Sequence, residues 1–324
     1  MTPAWQMVHD VLMAKKASHK KAGRSKDSGK AEHSEQVVGK DTSMRALLRV
    51  PQGPVAVSDF DPSATPGFPG KDKKGAPTQK AIIEPRLSDL QERLYAAGRE
   101  GDAAPRVLVV LQGLDTSGKG GVIRHAFGMV DPQGIHLKAF KSPTKEELRH
   151  DFLWRIRKEV PAAGMIGIFD RSQYEDVLIG RVNELVPVKE LQARYEQIND
   201  FEAELVASGT RIVKCFLNIS ADEQKARLLE RLDNPEKHWK YNPGDVDSRL
   251  NWDAYMQAYG DLLERCNPDS APWYVIPSDR KWYRNWAVAQ ILLETLEEMD
   301  LAWPKADFNV AEERRQVEAS DPPS

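Results

Sequence analysis

The feature that most constrains this chain is the loop GLDTSGKGG at 113–121, which follows an apolar run, RVLVVLQ, and precedes a helical pattern, VIRHAF. A strand, a glycine-rich loop and a helix in this order are the setting of a phosphate-binding loop, whose backbone N–H groups face an anion. The alternative is a glycine-rich turn with no ligand, which leaves the spacing of the lysine unexplained. We therefore expect phosphate contacts from Gly113, Ser117, Gly118, Lys119, Gly120 and Gly121.

The loop departs from the usual pattern at Gly120, where a Ser or Thr normally binds Mg²⁺. Because Mg²⁺ prefers carboxylate and phosphate oxygens, another ligand is needed. Asp115 lies in the loop, and Asp170 ends an apolar run, MIGIFD, in the manner of a Walker B strand. We expect Asp115 and Asp170 to hold the metal and Arg171 to neutralise phosphate charge. Asp170 also fits a helix N-cap, and the two roles are compatible.

Four further β-like runs follow the first strand, and helical patterns separate them. Near-continuous apolar strands that alternate with helices indicate a parallel sheet covered on both faces. The predicted strands are 106–112, 136–140, 165–170, 211–219 and 273–278. The predicted helices are 80–99, 118–130, 144–160, 172–186, 188–208, 220–233, 247–266 and 281–299, with capping boxes at Thr144–Glu147 and Ser220–Glu223. We expect an α/β fold with a five-stranded parallel sheet between helices.

The two ends of the chain lack this alternation. Residues 14–42 are rich in Lys, Ser and Gly and nearly free of large apolar side chains, so they cannot bury enough surface to offset their ordering entropy. We expect a disordered basic tail over 1–44, either solvated or gathering polyanions, a P-loop domain over 45–300 and a polar tail over 301–324. Within the domain, the Pro- and Gly-rich residues 51–79 are expected to wrap the core as an extended segment.

Composition excludes several classes of protein. The formal net charge of −3 argues against a general nucleic-acid-binding protein, although local basic patches can still bind polyanions. No apolar run is long enough to cross a membrane, and the N-terminal residues lack a signal-peptide pattern. We therefore expect a cytoplasmic protein with no nucleic-acid or membrane partner. Cys215 and Cys266 fit no metal-binding spacing.

Basic side chains are concentrated in RLLERLDNPEKHWKYNPGDVDSR at 227–249. Beside a phosphate loop, such a segment is typical of a lid that closes over the phosphates, although a solvated charged hairpin has the same composition. A second basic set, near the loop and the second strand, could face a phosphate chain. The candidate phosphate contacts are Arg227, Arg231, Lys237 and Lys240 in the lid and Arg124, Lys138 and Lys141 outside it. The aromatic-rich residues 271–286 are expected to pack against the core rather than to stack on a base.

Several motifs in order resemble family 2 of the polyphosphate kinases, most closely its class III. They run from about 45 to 300 and include RVPQGPVAVSDFDPSATPGF, VVLQGLDTSGKGGVIRHAF, FKSPTKEELRHDFLWRI, FDRSQYEDVL, ERLDNPEKHWKYNPGD and APWYVIPSDRKWYRNW. The resemblance implies phosphoryl transfer, in either direction, between inorganic polyphosphate and AMP or ADP, with ATP formed from ADP. It also implies a thymidylate-kinase-like P-loop fold with a helical lid, Mg²⁺ or Mn²⁺ as cofactor, and a homo-oligomer, dimer or tetramer.

The resemblance places Asp115 and Lys119 at the Walker A positions and Asp170 and Arg171 at the Walker B positions. It also implies phosphate or nucleotide contacts by Arg181, Arg227, Arg231, Lys237 and Lys240. Class III sequences often read FNRSHYEDVL where this chain reads FDRSQYEDVL, so Asp170 and Gln173 bear on the choice between AMP and ADP.

Two other functions fit parts of the sequence. An ATP-dependent nucleoside monophosphate kinase would share the loop, but the matches at 51–70 and 227–244 argue against it. A non-catalytic polyphosphate-binding module would not need the two aspartates and the lysine. In a kinase reaction the attacking phosphate oxygen is already anionic, so no strong general base is required. His125 and His238 are therefore expected to contact phosphate or to pack.

Overall fold

The computed structural model describes residues 43–320, so most of the predicted N-terminal tail, residues 1–42, lies outside the described residues. The centre of the fold is a five-stranded sheet, in which all strand pairs are parallel and the order is β2–β3–β1–β4–β5. The strands are β1 Arg106–Gln112, β2 Ile135–Ala139, β3 Ile166–Asp170, β4 Thr210–Asn218 and β5 Trp273–Pro277. The predicted five-stranded parallel α/β sheet is confirmed.

Helices connect the strands and flank the sheet. In the described residues they are α1 Met44–Leu48, α2 Ala76–Ala97, α3 Lys119–His125, α4 Trp154–Arg157, α5 Glu175–Val182, α6 Val188–Ala207, α7 Ala221–Asp233, α8 Gly244–Leu250, α9 Trp252–Arg265, α10 Lys281–Glu297 and α11 Val310–Ala319. None of the helices within 43–320 is both long enough and apolar enough to cross a membrane.

The side chains of β1 alternate between two apolar cores, one on each face of the sheet. Val107, Val109 and Leu111 belong to the core formed with α2, α3 and α10. Leu108 and Val110 belong to the core formed with α5, α6 and α9. Because successive strand residues point to opposite faces, a central strand covered on both sides must be apolar throughout, as β1 is.

The Pro- and Gly-rich segment passes over the end of β4 and the start of α10, but residues 76–79, predicted to be extended, belong to α2. The backbone carbonyl of Phe60 accepts a hydrogen bond from Asn218 at the end of β4, at 2.8 Å. The carbonyl of Pro66 accepts one from the Tyr283 hydroxyl on α10, at 2.9 Å. The segment therefore passes over the carboxyl edge of the sheet, where ligands bind in open α/β folds.

The helix predicted over 144–160 is not continuous. Its capping box forms, because Thr144 and Glu147 exchange hydrogen bonds of 2.6 and 3.2 Å, but it caps only a short 3₁₀ turn. His150 is extended, and the Asp151 carboxylate accepts a hydrogen bond from the backbone N–H of Leu153 at 3.0 Å. This local turn competes with the helix, which restarts only as α4.

One further helix prediction and the predicted C-terminal tail need correction. The helix predicted over 247–266 is divided between α8 and α9 by Asn251, which has non-helical dihedral angles and whose side-chain amide donates to the carbonyl of Asp247. The predicted polar C-terminal tail contains α11, which Asn309 caps through its side chain and which buries none of its residues.

Candidate active site

The predicted phosphate-binding loop leaves β1 at Gly113 and enters α3 at Lys119. It needs three left-handed backbone conformations, at Gly113 (φ 150°), Thr116 (φ 64°) and Gly118 (φ 108°). Lys119 is only 9% exposed, and its ammonium group donates to the carbonyl of Gly113 at 2.8 Å. The lysine therefore lies folded back across the loop, on the path where phosphate oxygens bind in loops of this type.

Two buried arginines bind the loop carbonyls. Arg227 of α7 donates to the carbonyl of Thr116 at 2.9 Å, and Arg284 of α10 donates to that of Ser117 at 2.9 Å. Arg227 also donates to the carbonyls of Ser278 and Asp279. The guanidinium groups thus fix the loop from its buried side.

The burial of Arg227 corrects its assignment to the lid. Its side chain is 6% exposed, and backbone carbonyls together with Glu223 accept hydrogen bonds from every part of its guanidinium group. Arg227 belongs to a basic segment in the sequence. Because α7 packs its first turns against the loop, its guanidinium group is buried there and supports the loop backbone.

Asp115 and Asp170 lie at the carboxyl edge of the sheet. Residue 170 is level with Leu111 in the pairing of β3 with β1, so it lies beside the start of the loop. Arg171 has a left-handed backbone (φ 65°) and donates to the Asp115 carboxylate at 2.8 Å. Walker A and Walker B residues predicted from sequence are thus joined by an ion pair.

Glu175 is a third carboxylate near this pair. Burial raises the pKa of its carboxyl group, Arg171 and Lys119 oppose that rise, and Asp115 adds to it. The same motif, FDRSQYEDVL, contained this signal, because Glu175 begins the helix that follows the strand ending at Asp170. Sequence reasoning nevertheless left it out of the site.

The carboxylates do not form a complete metal site alone. Within residues 43–320, no cluster of three or more His, Cys, Asp or Glu side chains has the arrangement of a metal site. Asp115 and Asp170 nevertheless fit a hard divalent ion whose other ligands are water and phosphate oxygens. The buried hydroxyls of Thr116 and Ser117 also lack hydrogen-bond partners, which suits a loop that receives a polar ligand.

The segment predicted to be a lid comprises the end of α7, a 3₁₀ helix over Pro235–Lys240, and α8. Arg231 joins these parts, since it donates to the carbonyl of Lys240 at 2.9 Å and to the Asp245 carboxylate at 3.3 Å. Burial and the charge of Asp115 raise the pKa of Asp245 to about 6, although Arg231 opposes the rise. Asp245 therefore experiences the field of the loop, and sequence reasoning missed it because it considered only the basic residues of the lid.

The other predicted cations are more dispersed. Lys138 lies on the edge strand β2, which β3 separates from β1. Its ammonium group pairs with the Glu159 carboxylate. Lys141, Arg124 and Lys240 are exposed, and Lys237 pairs with Glu230. The structure therefore does not bring Lys138 to the loop, because its side chain turns to Glu159 instead.

Arg181 lines a cavity of about 760 Å³ at the carboxyl end of β4. Its guanidinium pairs with Asp261 of α9. The cavity walls combine the apolar side chains of Phe60, Trp252 and Met256 with polar groups that include Asn218, Asp253 and Gln257. A mixed lining of this kind suits a ligand with a flat apolar part and polar edges.

A buried polar network supports the segment after Asp170. Glu202 of α6 accepts hydrogen bonds from Gln173 at 3.0 Å and from the Tyr174 hydroxyl at 2.6 Å. Lys214 of β4, which is fully buried, donates to the same carboxylate at 2.6 Å. Gln173, a position at which the motif differs from the class III pattern, is thereby fixed by an ion pair inside the fold.

Comparisons with known proteins agree with this geometry. Residues 71–304 match the family model described as polyphosphate kinase 2 (PPK2). An AMP/ADP-polyphosphate phosphotransferase of Meiothermus ruber is 47% identical over 257 residues, which are 79% of this chain and 94% of that protein. An ADP-polyphosphate phosphotransferase of Rhodopseudomonas palustris is 44% identical over 232 residues, 68% of this chain and 78% of that protein.

A solved structure extends the agreement to the fold. The crystal structure of polyphosphate kinase 2 from Arthrobacter aurescens superposes with a TM-score of 0.83 at 52% sequence identity, and covers 87% of this chain and 99% of the other. The family match spans well over half of the sequence and contains the loop, both aspartates and the lid. The chain therefore belongs to the polyphosphate kinase 2 family.

Proposed function

We propose that this protein transfers phosphoryl groups from inorganic polyphosphate to AMP and ADP, and in the reverse direction. The observation that carries the proposal is the ion pair between Asp115 of the loop and Arg171 of the Walker B segment, beside Lys119. The names of the relatives from Meiothermus ruber and Rhodopseudomonas palustris, which mention AMP/ADP and ADP, support the same reaction.

The residues of the loop divide the work of phosphoryl transfer. Lys119 exchanges the Gly113 carbonyl for an oxygen of the transferred group, and Arg171 neutralises a second oxygen. Asp115 and Asp170 would hold Mg²⁺, or Mn²⁺ in its place, and the ion would supply positive charge to the phosphates. An anionic acceptor phosphate attacks in line, and no side chain needs to remove a proton.

The cavity at the carboxyl end of β4 is the proposed place of the acceptor nucleoside. Phe60, Trp252 and Met256 offer apolar surface to a base, and Asn218 and Arg181 offer polar groups to the ribose and phosphate. The wrapping segment and the carboxyl end of β4 both line this cavity, and we place the phosphate end of the nucleotide toward the loop. The proposed contacts of the polyphosphate chain in the lid are the exposed Lys240 and the half-buried Lys237, which would exchange Glu230 for a phosphate oxygen.

The same family implies a setting for the reaction. We expect a cytoplasmic homo-oligomer, a dimer or tetramer, without nucleic-acid or membrane partners. Light scattering of the purified protein measures its oligomeric state. A monomer at micromolar concentration would contradict the expected oligomer but would leave the catalytic proposal unchanged.

One assay tests the reaction. The purified full chain is incubated with Mg²⁺ and either AMP or ADP, with polyphosphate or ATP as donor, and the nucleotide products are measured. We expect polyphosphate to convert both acceptors. Transfer from ATP alone would favour the rival nucleoside monophosphate kinase, and binding without transfer would favour a non-catalytic module.

A further inference from the structure

The buried cations of this protein fall into two groups. Five lysine and arginine side chains in residues 43–320 are buried. Lys214, Arg155 and Arg227 each lie within 4.0 Å of a carboxylate oxygen. Lys119 and Arg284 have no carboxylate partner in the same part of the chain, and both contact the phosphate-binding loop.

Arg284 has an unusual environment for an arginine. Its side chain is 3% exposed, and its hydrogen bonds go only to the carbonyl of Ser117 and to the side-chain oxygen of its neighbour Asn285. The nearby charge of Arg227 is of the same sign. Burial and Arg227 together lower the pKa of Arg284 to about 9.

The loop has the space that this guanidinium needs. A Cβ atom at Gly118 would lie 1.8 Å from an Arg284 nitrogen, and one at Gly121 would lie 2.6 Å from another. Two glycines thus allow the charge to rest directly against the loop. A buried charge without a counter-charge is costly in the free protein, so a position that retains one gains from a charge supplied later.

We propose that the bound phosphate chain is the counter-charge of Arg284, which destabilises the free protein and stabilises its complex with polyphosphate. Arg284 is thus a positioning residue that acts through the Ser117 peptide and through the field at the loop. The inference rests on the proposed function in one respect, namely that this loop binds a polyphosphate anion.

The test uses the full chain with Mg²⁺ and without nucleotide, so that the phosphate chain has no acceptor and catalysis does not contribute. Thermal unfolding is followed for wild type, Arg284→Met, Arg284→Lys and Lys214→Met, each alone, with tripolyphosphate and with long-chain polyphosphate. Lys214→Met is the matched control, because it removes a buried cation that has its own carboxylate.

We expect free Arg284→Met to unfold within about 3 °C of wild type, or above it, since the lost hydrogen bond is offset by the removal of an unpaired charge. Its affinity for long-chain polyphosphate, measured by calorimetry, should fall at least about tenfold, and its stabilisation by polyphosphate should shrink accordingly. Arg284→Lys should keep most of the affinity for polyphosphate and most of the stabilisation by it. Lys214→Met should unfold at least about 6 °C lower while keeping its polyphosphate-induced stabilisation.

Two results separate the inference from the proposed function. If polyphosphate stabilises wild type and Arg284→Met equally, the inference is wrong and the proposed function stands. If wild type gains neither stability nor measurable binding with any chain length, the proposed function fails and the inference falls with it. Should Arg284→Met not fold, an Arg284→Gln variant that loses free stability while retaining wild-type affinity would also overturn the inference.

Discussion

Lys214 and Arg284 are both buried cations, yet they lie in regions with opposite electrostatic design. Lys214, on β4, has the Glu202 carboxylate at 2.6 Å and two further oxygen acceptors, so its charge is neutralised within the fold. Arg284, on α10, meets a backbone carbonyl and an amide oxygen. The difference teaches that burial alone does not identify a binding cation. The absence of a carboxylate partner in the described residues, together with contact to a loop, points to a ligand.

The largest effect that tests this comparison is expected at Lys119, the second buried cation without a carboxylate. Lys119→Met should lower turnover by about 10³-fold, because developing charge on the transferred group loses its counter-charge. The unfolding free energy should change little. Steady-state kinetics and urea unfolding measure the two quantities. Activity within about threefold of wild type would contradict the idea that a buried cation without a carboxylate partner serves the bound phosphate.

For Lys214, the cation with a carboxylate partner, substitution should change the stability of the protein rather than its activity. Lys214→Met leaves the Glu202 carboxylate buried without a cation and should reduce the unfolding free energy by about 3–5 kcal/mol. Urea unfolding monitored by circular dichroism gives this value. A loss below about 1 kcal/mol would mean that the ion pair contributes no more than an exposed one.

The metal sharpens the comparison, because a divalent ion would add positive charge to a loop that already contacts buried cations without carboxylate partners. Asp115→Asn and Asp170→Asn should each raise the Mg²⁺ concentration needed for half-maximal activity by roughly tenfold, since each removes a hard anionic oxygen. The measurement is a Mg²⁺ titration of initial rates. Unchanged titration curves in both variants would show that the ion is held by substrate oxygens alone.

A smaller effect is expected at Arg231, which lies on the same helix as Arg227 but in the lid. Arg231→Ala should raise the KM for polyphosphate several-fold and leave that for the nucleotide nearly unchanged. Rising salt should reduce the difference in KM for polyphosphate between this variant and wild type, because salt screens exposed charge pairs. Arg227→Ala is the matched variant, and it should lower thermal stability instead. The opposite assignment of the two effects would return Arg227 to the lid.

The smallest effect concerns Asp245. An acid whose pKa is raised on folding, here from 3.8 to about 6, binds its proton more tightly in the folded state. Its contribution to stability is therefore present below pH 4 and is lost as the pH rises through about 6. Asp245→Asn should remove this loss. The unfolding free energy at pH 7, taken relative to that at pH 4, should therefore be higher in the variant than in wild type by about 2 kcal/mol or less. Thermal unfolding of both proteins across this range measures it, and parallel curves would contradict the assignment.

Much of the fold followed from local sequence patterns. The sheet and the loop were predictable because apolar runs such as RVLVVLQ fix both a strand and its burial. The helix over 144–160 was wrong because the side chain of Asp151 satisfies a nearby backbone N–H, an outcome that periodicity does not register.

The candidate site was predictable only in part, for a physical reason. Asp115 and Asp170 could be paired because strand ends meet at one edge of a parallel sheet. Arg227 and Arg231 occupy equivalent positions on α7, one turn apart, and only the packing of that helix decides which is buried. Arg284, within the aromatic residues 271–286, offers no sequence signal of its contact with Ser117, which is 167 residues away.

The tight contact of Gly121 with Arg284 also orders the evolutionary paths open to this loop. A Cβ atom at residue 121 would lie 2.6 Å from a guanidinium nitrogen, so a larger residue there requires the arginine to move away from its present position. Once an alanine is fixed there, a returning arginine would have to adopt a different position from the one it has against this loop. Lineages that exchange Arg284 should therefore show greater variety at residue 121, whereas those that keep it should retain the glycine. Gly118 stays constrained in either case, since its backbone is left-handed.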